Sequence, residues 1–358
     1  MSTSLVFDDI SRTQYPTVRE FTSQNYILKP LGAGSFATVY ACIPTPTADS
    51  LLARYKSSDR SPQAFEQACA ALRANLQAVK VAHNDDPETS SKFAAAALSD
   101  EVNHLRFAGS LGQEVRICPM LDWDHQRGAG QRCWYTMKPM TGGTMLELLV
   151  RMQRYASRPE EVMPYPAPAF TWNVIAQLFD ALSQFQYGSE ANMRYRAHKD
   201  VSPRNILFSG SGQGSYHDYP DAFLADFGNA EAIDFKHVES ESARTALCEF
   251  QRKEVLKLLD DCRGLFADQE PKQLLQRMFE KAPRVNSAKL EQYPAALRNF
   301  VQQIVTRAIK ERDEAGYVPL SEQMMEYFSQ PLVSNEEFKS AFKILRKGSR
   351  FSSHCPTL

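Results

Sequence analysis

The distribution of apolar and polar residues changes in character along the chain. Near the amino terminus, "YILKPLGAGSFATVYACI" has two apolar runs separated by glycines, the pattern of a strand, a turn and a second strand. "AVKVA" predicts another short strand. Between them, residues 43–60 have the composition of a loop, and "SPQAFEQACAALRANLQ" has the Ser cap, early Pro and apolar period of a helix. The first part is therefore predicted to be strand-rich, with a loop and a helix between the second and third strands.

Helical spacing takes over further along the chain. "PETSSKFAAAALSDEVNHLRF" places apolar residues three and four apart and predicts a helix, while "VRICPMLDWD" and "RCWYTMKPM" predict two more strands. The strongest helical pattern is "FTWNVIAQLFDALSQFQYG". After it, only "NILFS" and "AFLADF" are strand-like, and further helices are predicted at about 249–265, 271–281, 294–312, 319–329 and 335–347.

These patterns predict an α+β fold in two parts. Residues 25–140 form the strand-rich part with one main helix, and residues 141–347 form a larger, mostly helical part. The change of character falls near Met140–Gly142. Residues 1–24 are predicted to be a loosely held lead-in, and residues 348–358 a tail.

Composition narrows the class of protein. A chain of 358 residues with 43% hydrophobic content can bury a sizeable core without a structural metal or disulfides. Its net charge of −1 provides no basic field for nucleic acid. The seven cysteines are scattered, which is typical of reduced thiols in a cytoplasmic or nuclear protein, and no stretch approaches the roughly 20 apolar residues of a membrane helix. We therefore expect an intracellular protein that neither binds nucleic acid nor spans a membrane. The oligomeric state is not predicted.

The first candidate for chemistry is a glycine turn followed by a lysine on a strand. Gly32 and Gly34 lie between the first two predicted strands, where glycines let backbone N–H groups approach a polyanion, although most such hairpins are ordinary turns. Lys80, inside "AVKVA", is either an edge-strand lysine that reaches water or a cation held against a phosphate. The second interpretation requires a carboxylate beside the lysine. Glu101 is the candidate on the following helix, with Asp100 as its rival.

The second candidate is "AHKDVSPRNILF", which places Asp200 and Asn205 on either side of a turn fixed by Pro203. A carboxylate here can accept a proton from a hydroxyl group, and an amide oxygen can bind a hard metal such as Mg²⁺. In "LADFGNA", Asp226 ends an apolar run and is a second potential metal ligand. Ordinary turn and strand-end chemistry is the alternative for each residue taken singly. His198 is predicted to be a structural histidine that hydrogen-bonds the backbone.

In chain order these motifs are a glycine-rich hairpin, a strand Lys, a helix Glu, H-x-D-x-x-x-x-N and D-F-G. This order resembles the eukaryotic-type protein kinase superfamily over about residues 25–345. "DVSPRN" also resembles divergent kinase-like proteins of fungi. The resemblance implies a bilobal fold, with 25–140 as a small N-lobe and 141–347 as a larger C-lobe. It also implies ATP and Mg²⁺ as cofactors.

The resemblance assigns roles to individual residues. It implies that Asp200 orients and deprotonates the acceptor hydroxyl, and that Asn205 and Asp226 hold Mg²⁺. Lys80 would pair with the α- and β-phosphates of ATP and with Glu101.

Further nucleotide-binding positions follow from the same resemblance. They are Gly32, Gly34, Ser35, Val39, Met137, Lys138 and Met140. Met137 would guard the back of the adenine pocket, and 138–140 would be the hinge that hydrogen-bonds adenine. Leu105, His198 and Phe227 would stack as an apolar spine.

Several features depart from the superfamily's pattern. The connection before Lys80 carries the insertion at 43–76. Lys199 stands where an Arg usually grips a phosphate of the activation segment, and Lys lacks the guanidinium fork. Ser202 replaces the Lys common in Ser/Thr kinases, and Arg204 occupies the place of a compensating Arg in many tyrosine kinases.

The segment after D-F-G also departs from the pattern, because no Ala-Pro-Glu follows. Residues 229–248 run instead into a predicted helix, whose Glu254 is the candidate buttress of the catalytic loop. Since Lys199 lacks the fork and glutamates flank Ser240 and Ser242, we expect activity not to depend on phosphorylation of this segment.

The function predicted from the sequence is transfer of the γ-phosphate of ATP to a hydroxyl of a protein substrate, Ser or Thr rather than Tyr. One alternative is a kinase-fold enzyme with a small-molecule acceptor, which the missing Ala-Pro-Glu favours and the complete D-F-G disfavours. The other is a non-enzymatic scaffold, which the complete set of Lys80, Asp200, Asn205 and Asp226 disfavours.

Overall fold

The computed structural model describes residues 16–57, 61–83, 90–112, 114–126, 132–156, 165–188, 194–234 and 240–346. Within them the fold is mixed α+β and divides into two compact units. The first unit takes its residues from 16–103, 119–139 and 331–346, and the second from 104–118 and 140–330. The division between Pro139 and Met140 falls one residue before the predicted boundary between 140 and 141. Residues 104–118 were predicted in the first part but belong to the second unit, and residues 331–346 were predicted in the second part but belong to the first unit.

The first unit is built on a five-stranded antiparallel sheet in the order β1-β2-β3-β5-β4. Its strands are β1 (Asn25–Ala33), β2 (Ala37–Pro44), β3 (Gln77–Ala82), β4 (Met120–Trp123) and β5 (Trp134–Met137). Its helices are α1 (Pro16–Gln24), α2 (Thr45–Ser57), α3 (Pro62–Arg73), the first turns of α4 (Ser90–Ser110), and α11 (Asn335–Arg346).

The second unit is mainly helical and contains two small antiparallel ladders. Its helices are α5 (Met145–Ala156), α6 (Pro168–Tyr187), α7 (Glu241–Arg263), α8 (Gln269–Lys281), α9 (Tyr293–Ala315) and α10 (Glu322–Ser329), with 3₁₀ turns at Pro203–Asn205 and Ser287–Gln292. The ladders pair β6 (Arg194–Ala197) with β9 (Glu231–Asp234), and β7 (Ile206–Phe208) with β8 (Ala222–Leu224).

Helix α6 is the centre of the second unit. Its predicted helical pattern is confirmed, and apolar residues all round the helix are buried, including Phe170, Trp172 and Phe185. A helix that is apolar on every side must be surrounded by other elements to be stable. Helix α9 packs along it, and β8 lies against it. Helix α6 also contacts β6, and its Phe185 lies 6.3 Å from the ring of His198 at the start of the loop that follows β6.

The insertion at 43–76 differs from the prediction. Residues 43–60 were expected to be a loop, but Thr45–Ser57 form a helix, with Pro46 in its first turn, where the missing N–H costs nothing. Ala48 and Leu52, one helical turn apart, are buried. The helix predicted from "SPQAFEQACAALRANLQ" is present as α3, and the side chain of Ser61 accepts a hydrogen bond from the N–H of Ala64.

Part of the predicted lead-in is also structured. Residues 16–24 form α1, in which Val18 and Phe21 are buried, and the ring of Phe21 lies 4.6 Å from that of Trp134. Residues 1–15, and the predicted tail at 348–358, lie outside the described residues. The expectation of a loosely held lead-in is therefore wrong for 16–24, because two apolar residues on one helical face anchor it.

The carboxy-terminal helix α11 completes the core of the first unit. Val333 and Phe338 are buried in one cluster with residues of β2, α2 and α3. Around this cluster, the guanidinium group of Arg73 donates to Val333 O at 3.2 Å and to Asn335 Oδ1, and Lys29 pairs with Glu337 at 2.9 Å. The last described segment of the chain is thus part of the same core as the inserted helices.

Smaller differences concern the short strands and the region after D-F-G. Of "VRICPMLDWD", only Met120–Trp123 form a strand, although Ile117 makes an isolated bridge with Leu224. Neither β6 nor β9 was predicted. Helix α7 begins at Glu241, earlier than the predicted start at about 249, and Ser240 is its N-cap.

Two general expectations can be compared with the structure. None of the described helices is both long and apolar enough to cross a membrane. The described cysteines are all buried, and none of them forms a disulfide: Cys42, Cys69, Cys118, Cys133, Cys248 and Cys262. Burial raises the pKa of the Cys42 thiol to about 12, so this group stays protonated at neutral pH.

Candidate active site

One face of the sheet in the first unit carries three of the predicted site residues. Lys80 on β3 lies directly opposite Val39 on β2 and Tyr135 on β5, so the three side chains share one face. Ala78, two residues before Lys80, lies on the same face and opposite Met137. Ala78 was not among the predicted residues, although the alternation of side chains along a strand identifies it once Lys80 has been chosen.

Lys80 forms an ion pair with Glu101 on α4. The Lys80 Nζ lies 2.7 Å from Glu101 Oε2 and 3.0 Å from Oε1, and the Glu101 side chain is 1% exposed. Asp100, the rival candidate, is exposed. Because an unpaired carboxylate would be costly at this depth, the lysine and the helix that carries Glu101 are held to each other.

The glycine turn is open to solvent. Gly32, Gly34 and Ser35 are exposed, and the turn is closed by a hydrogen bond from the N–H of Gly34 to Ala37 O at 2.9 Å. A methyl group added at Gly32 would meet no atom within 4 Å, and one at Gly34 would meet only Ala37 O at 3.8 Å. Neither glycine has a positive φ. The folded chain by itself therefore gives no reason for glycine at either position.

The residues predicted to bind adenine lie at the end of β5 and directly after it. Met137 is half-buried at the end of this strand, and the N–H of Lys138 donates to Pro119 O at 2.9 Å. The Lys138 amide is thus already used within the first unit. Met140, the first residue of the second unit, is buried, and its N–H donates no hydrogen bond within the described part of the chain.

The loop 198–205 of the second unit is organised by His198. This residue is fully buried; its Nε2 donates to Ala225 O at 3.0 Å, and its Nδ1 accepts from the N–H of Asp200 at 3.3 Å. Burial lowers the pKa of His198 to about 4, so the ring is neutral at physiological pH. The prediction of a structural histidine that hydrogen-bonds the backbone is confirmed.

Asp200 and Asn205 face each other across the turn at Pro203. The Asn205 Nδ2 donates to the backbone carbonyl of Asp200 at 2.9 Å, which leaves the amide oxygen Oδ1 directed away from that bond. Both side chains are half-buried. Among the described residues, none donates a hydrogen bond to the carboxylate of Asp200. This loop therefore presents a carboxylate on Asp200 and an amide oxygen on Asn205, whose amide group is held by the backbone of Asp200.

Asp226 is fastened beside this loop through its neighbour Ala225. The N–H of Ala225 donates to Asn205 O at 2.9 Å, while its carbonyl accepts from His198. Asp226 itself is exposed and has a left-handed φ of 61°, an unusual conformation for a residue other than glycine. Such a conformation persists when the surrounding structure holds it, and it is found often at functional sites.

A cluster of rings supports both segments from within the second unit. The ring of Phe227 lies 4.4 Å from that of His198 and 4.7 Å from that of Phe185 on α6. Phe227 and His198 are thus in contact, as the resemblance implied, with their ring planes tilted by 49°. Leu105, the third predicted member, is buried, whereas Phe185 was not predicted because the buried aromatic residues of α6 look alike in the sequence.

Glu254 on α7 holds the loop from the opposite side. Its carboxylate accepts hydrogen bonds from the N–H of Lys199 and from Gln186 Nε2. Burial raises the pKa of Glu254 to about 7, against the opposing effect of these hydrogen bonds. Glu254 therefore makes the contact with the loop that was predicted for it.

Asn205 and Asp226 are the predicted ligands of Mg²⁺. Hard divalent cations prefer carboxylate and amide oxygens, and these two residues supply one of each on segments joined through Ala225. Over the described ranges there is no group of three or more His, Cys, Asp or Glu side chains placed to hold a metal ion.

Comparison with known proteins adds nothing to this geometry. No model of a protein family matches the chain, and no curated protein matches it either.

Proposed function

We propose that the chain is an ATP- and Mg²⁺-dependent phosphotransferase with a bilobal protein kinase fold, and that its acceptor is a hydroxyl group of a protein. The observation that carries the proposal is a set of four hydrogen bonds. Two of them connect Ala225, the neighbour of Asp226, to Asn205 and His198, and the other two connect Asp200 to the same two residues. Three oxygen-bearing side chains, two of them from "HKDVSPRN" and one from "ADFG", are thereby kept in one neighbourhood of the second unit.

The pairing of Lys80 with Glu101 supports the same proposal. A lysine kept at a fixed place by a buried carboxylate suits the α- and β-phosphates of a nucleotide, because its charge is present before the ligand arrives. The open glycine turn and the face shared by Val39, Ala78 and Lys80 suit a nucleotide in the first unit.

In the proposed reaction Asp200 accepts the proton of the acceptor hydroxyl as its oxygen attacks the γ-phosphorus, and ADP leaves. Asn205 and Asp226 would hold Mg²⁺, which neutralises charge on the transferring phosphate when bound. The Asn205 Nδ2–H bond to the Asp200 carbonyl holds the amide oxygen in place. His198, neutral and fully buried, positions the backbone of the loop and takes no part in proton transfer.

A small-molecule acceptor is the second candidate, and one observation favours it. Helix α7 begins at Glu241, so few residues separate β9 from a rigid helix. Peptide acceptors in this superfamily are expected to bind an extended segment after D-F-G, and a helix offers no free strand edge for such binding.

The experiment that tests the proposal is incubation of the purified full chain with γ-labelled ATP and Mg²⁺. Mixed protein acceptors with Ser, Thr or Tyr hydroxyls form one arm, and a panel of hydroxyl-bearing metabolites forms the other. Label on protein supports the proposal, and label on a metabolite supports the second candidate. Nucleotide binding without transfer in either arm would instead indicate a scaffold on a kinase fold.

A substitution in the glycine turn should change the affinity for ATP without changing the free energy of unfolding. Gly34→Ala should leave the free energy of unfolding unchanged, since a methyl group fits there. It should weaken ATP binding by about five- to tenfold, roughly 1–1.4 kcal/mol, because the methyl group keeps the backbone N–H groups away from the phosphates.

Gly109→Ala in α4 is the matched control. It also meets no atom within 4 Å, and it should raise stability slightly while leaving ATP affinity unchanged. Calorimetric titration with ATP and urea unfolding measure the two quantities. Unchanged affinity in Gly34→Ala would remove the turn from the nucleotide site.

A double-mutant cycle tests the role of the ion pair. Lys80→Met should lower kcat/KM by about a hundredfold or more, as the loss of an electrostatic clamp does. Glu101→Gln should have a smaller effect that disappears once Lys80 is already Met, because Glu101 acts through the lysine.

The control for this cycle is Asp100→Asn, which removes the neighbouring, exposed carboxylate and should change nothing. Unfolding is measured for each variant, because Lys80→Met removes the cation that pairs with the buried carboxylate of Glu101. Effects of Lys80→Met and Glu101→Gln that simply add would show that Glu101 does not work through Lys80.

A further inference from the structure

Lys199, the residue before Asp200, is held by contacts with two elements, α7 and β9. Its N–H donates to the Glu254 carboxylate on α7, its Nζ lies 3.1 Å from Glu231 Oε2 on β9, and the same Nζ lies 4.8 Å from the centre of the Phe250 ring. Its backbone has a left-handed φ of 66°. The three contacts therefore fix both the backbone and the side chain of Lys199 in this unusual conformation.

The partner of this lysine belongs to the segment that follows Asp226. Phe227 O accepts from the N–H of Ala230, which closes a tight turn after Asp226. Directly after that turn, Glu231 begins β9 and lies opposite Ala197 in the β6–β9 ladder. The ion pair therefore joins the residue before Asp200 to the strand that begins immediately after the turn of Asp226.

We propose that Glu231 is a positioning residue: its carboxylate, supplied by the chain itself, pairs with Lys199 and holds the segment 226–234 against the loop of Asp200 without any phosphate. The proposal deepens the proposed function, and it rests on that function only for its consequences in catalysis. The ordering of the segment is a property of the folded chain and can be measured separately.

The expected effect of removing the Glu231 carboxylate depends on how far the ion pair is exposed to solvent. The side chains of Lys199 and Glu231 are 30% and 46% exposed, so the pair is partly screened by solvent. Measured couplings of exposed pairs correspond to about a 1.4- to fivefold change in an equilibrium constant. We therefore expect Glu231 to adjust the position of Asp226 and not to determine whether the second unit folds.

The first experiment is hydrogen exchange of the full chain, purified from bacteria and treated with phosphatase. Glu231→Gln should raise the exchange rate of amides in 227–234 by about two- to fivefold. Glu291→Gln is the matched control, since it removes a carboxylate that pairs with Arg244 at 2.7 Å elsewhere in the same unit. It should leave 227–234 unchanged. Equal exchange in the wild type and in Glu231→Gln would overturn the proposal, whatever the activity of the protein.

The second experiment measures phosphotransfer as a function of Mg²⁺ concentration. Glu231→Gln should raise the Mg²⁺ concentration for half-maximal activity by a similar factor, and the reversed pair Lys199→Glu with Glu231→Lys should recover part of the loss seen in each single variant. A wild type without transfer, combined with faster exchange in Glu231→Gln, would contradict the proposed function and leave the role of Glu231 intact. Loss of wild-type activity or of protection at 227–234 on phosphatase treatment would show that a phosphate, and not Glu231, holds the segment.

Discussion

Replacement of Asp200 by Asn should lower turnover by about a thousandfold while ATP binding stays nearly unchanged. Removal of a general base costs on the order of 10²–10⁴ in rate, and the proton is accepted in the transition state, so that ground-state binding is spared. Asn has the same shape as Asp. Since no described residue donates a hydrogen bond to the Asp200 carboxylate, the substitution breaks no hydrogen bond and should change stability little.

Steady-state turnover, ATP affinity and urea unfolding of Asp200→Asn are to be measured on one preparation. Asp260→Asn is the control, because Asp260 is a solvent-exposed carboxylate on α7 that pairs with Arg263 at 3.1 Å. Its turnover should equal that of the wild type. Turnover of Asp200→Asn within a few-fold of the wild type would remove the proposed base from this loop.

The site residues could be predicted from the sequence better than the supports that hold them. Lys80 stands out because a charged residue interrupts an apolar strand, and Glu101 because it shares a helical face with Ala97 and Leu105. Both signals are local. Glu231 has no such signal: β9 spans only Glu231–Asp234, and its partner strand β6 lies more than thirty residues earlier. Pairing at that separation depends on the rest of the fold and not on the pattern of either strand.

The insertion shows how composition can mislead about a helix. "TPTADSLLARYKS" contains Thr, Pro, Asp and Ser, which are typical of loops. In the structure Pro46 falls in the first turn, and Ala48 and Leu52 face the core. A short helix of this kind is stabilised by tertiary packing more than by propensity. Its prediction would have required knowledge of the surface that it covers.

The second large effect concerns stability and the buried cluster to which Ala48 and Leu52 belong. Phe338→Ala in α11 should lower the free energy of unfolding of the first unit by about 3–5 kcal/mol, the usual loss for a buried Phe. Phe338 is 1% exposed, and its ring packs in one cluster with Leu72 and Val333, under the guanidinium group of Arg73 at 5.6 Å. The substitution leaves a cavity in a cluster whose other members are anchored to the sheet and the inserted helices.

Phe93→Ala provides the matched control, since Phe93 is 71% exposed and its removal should change stability by less than about 0.5 kcal/mol.

Hydrogen exchange of β2 and α3 in increasing urea reports on the first unit without assuming that both units unfold together. Because Leu72 and Phe338 are distant in the chain, the first unit cannot complete this cluster until the carboxy-terminal segment has been synthesised. The exchange rates of β2 and α3 should therefore rise in Phe338→Ala, while those of α6 in the second unit should not. Equal rises in both units would show that Phe338 supports the whole chain, and no rise in either would show that α11 contributes nothing to the core of the first unit.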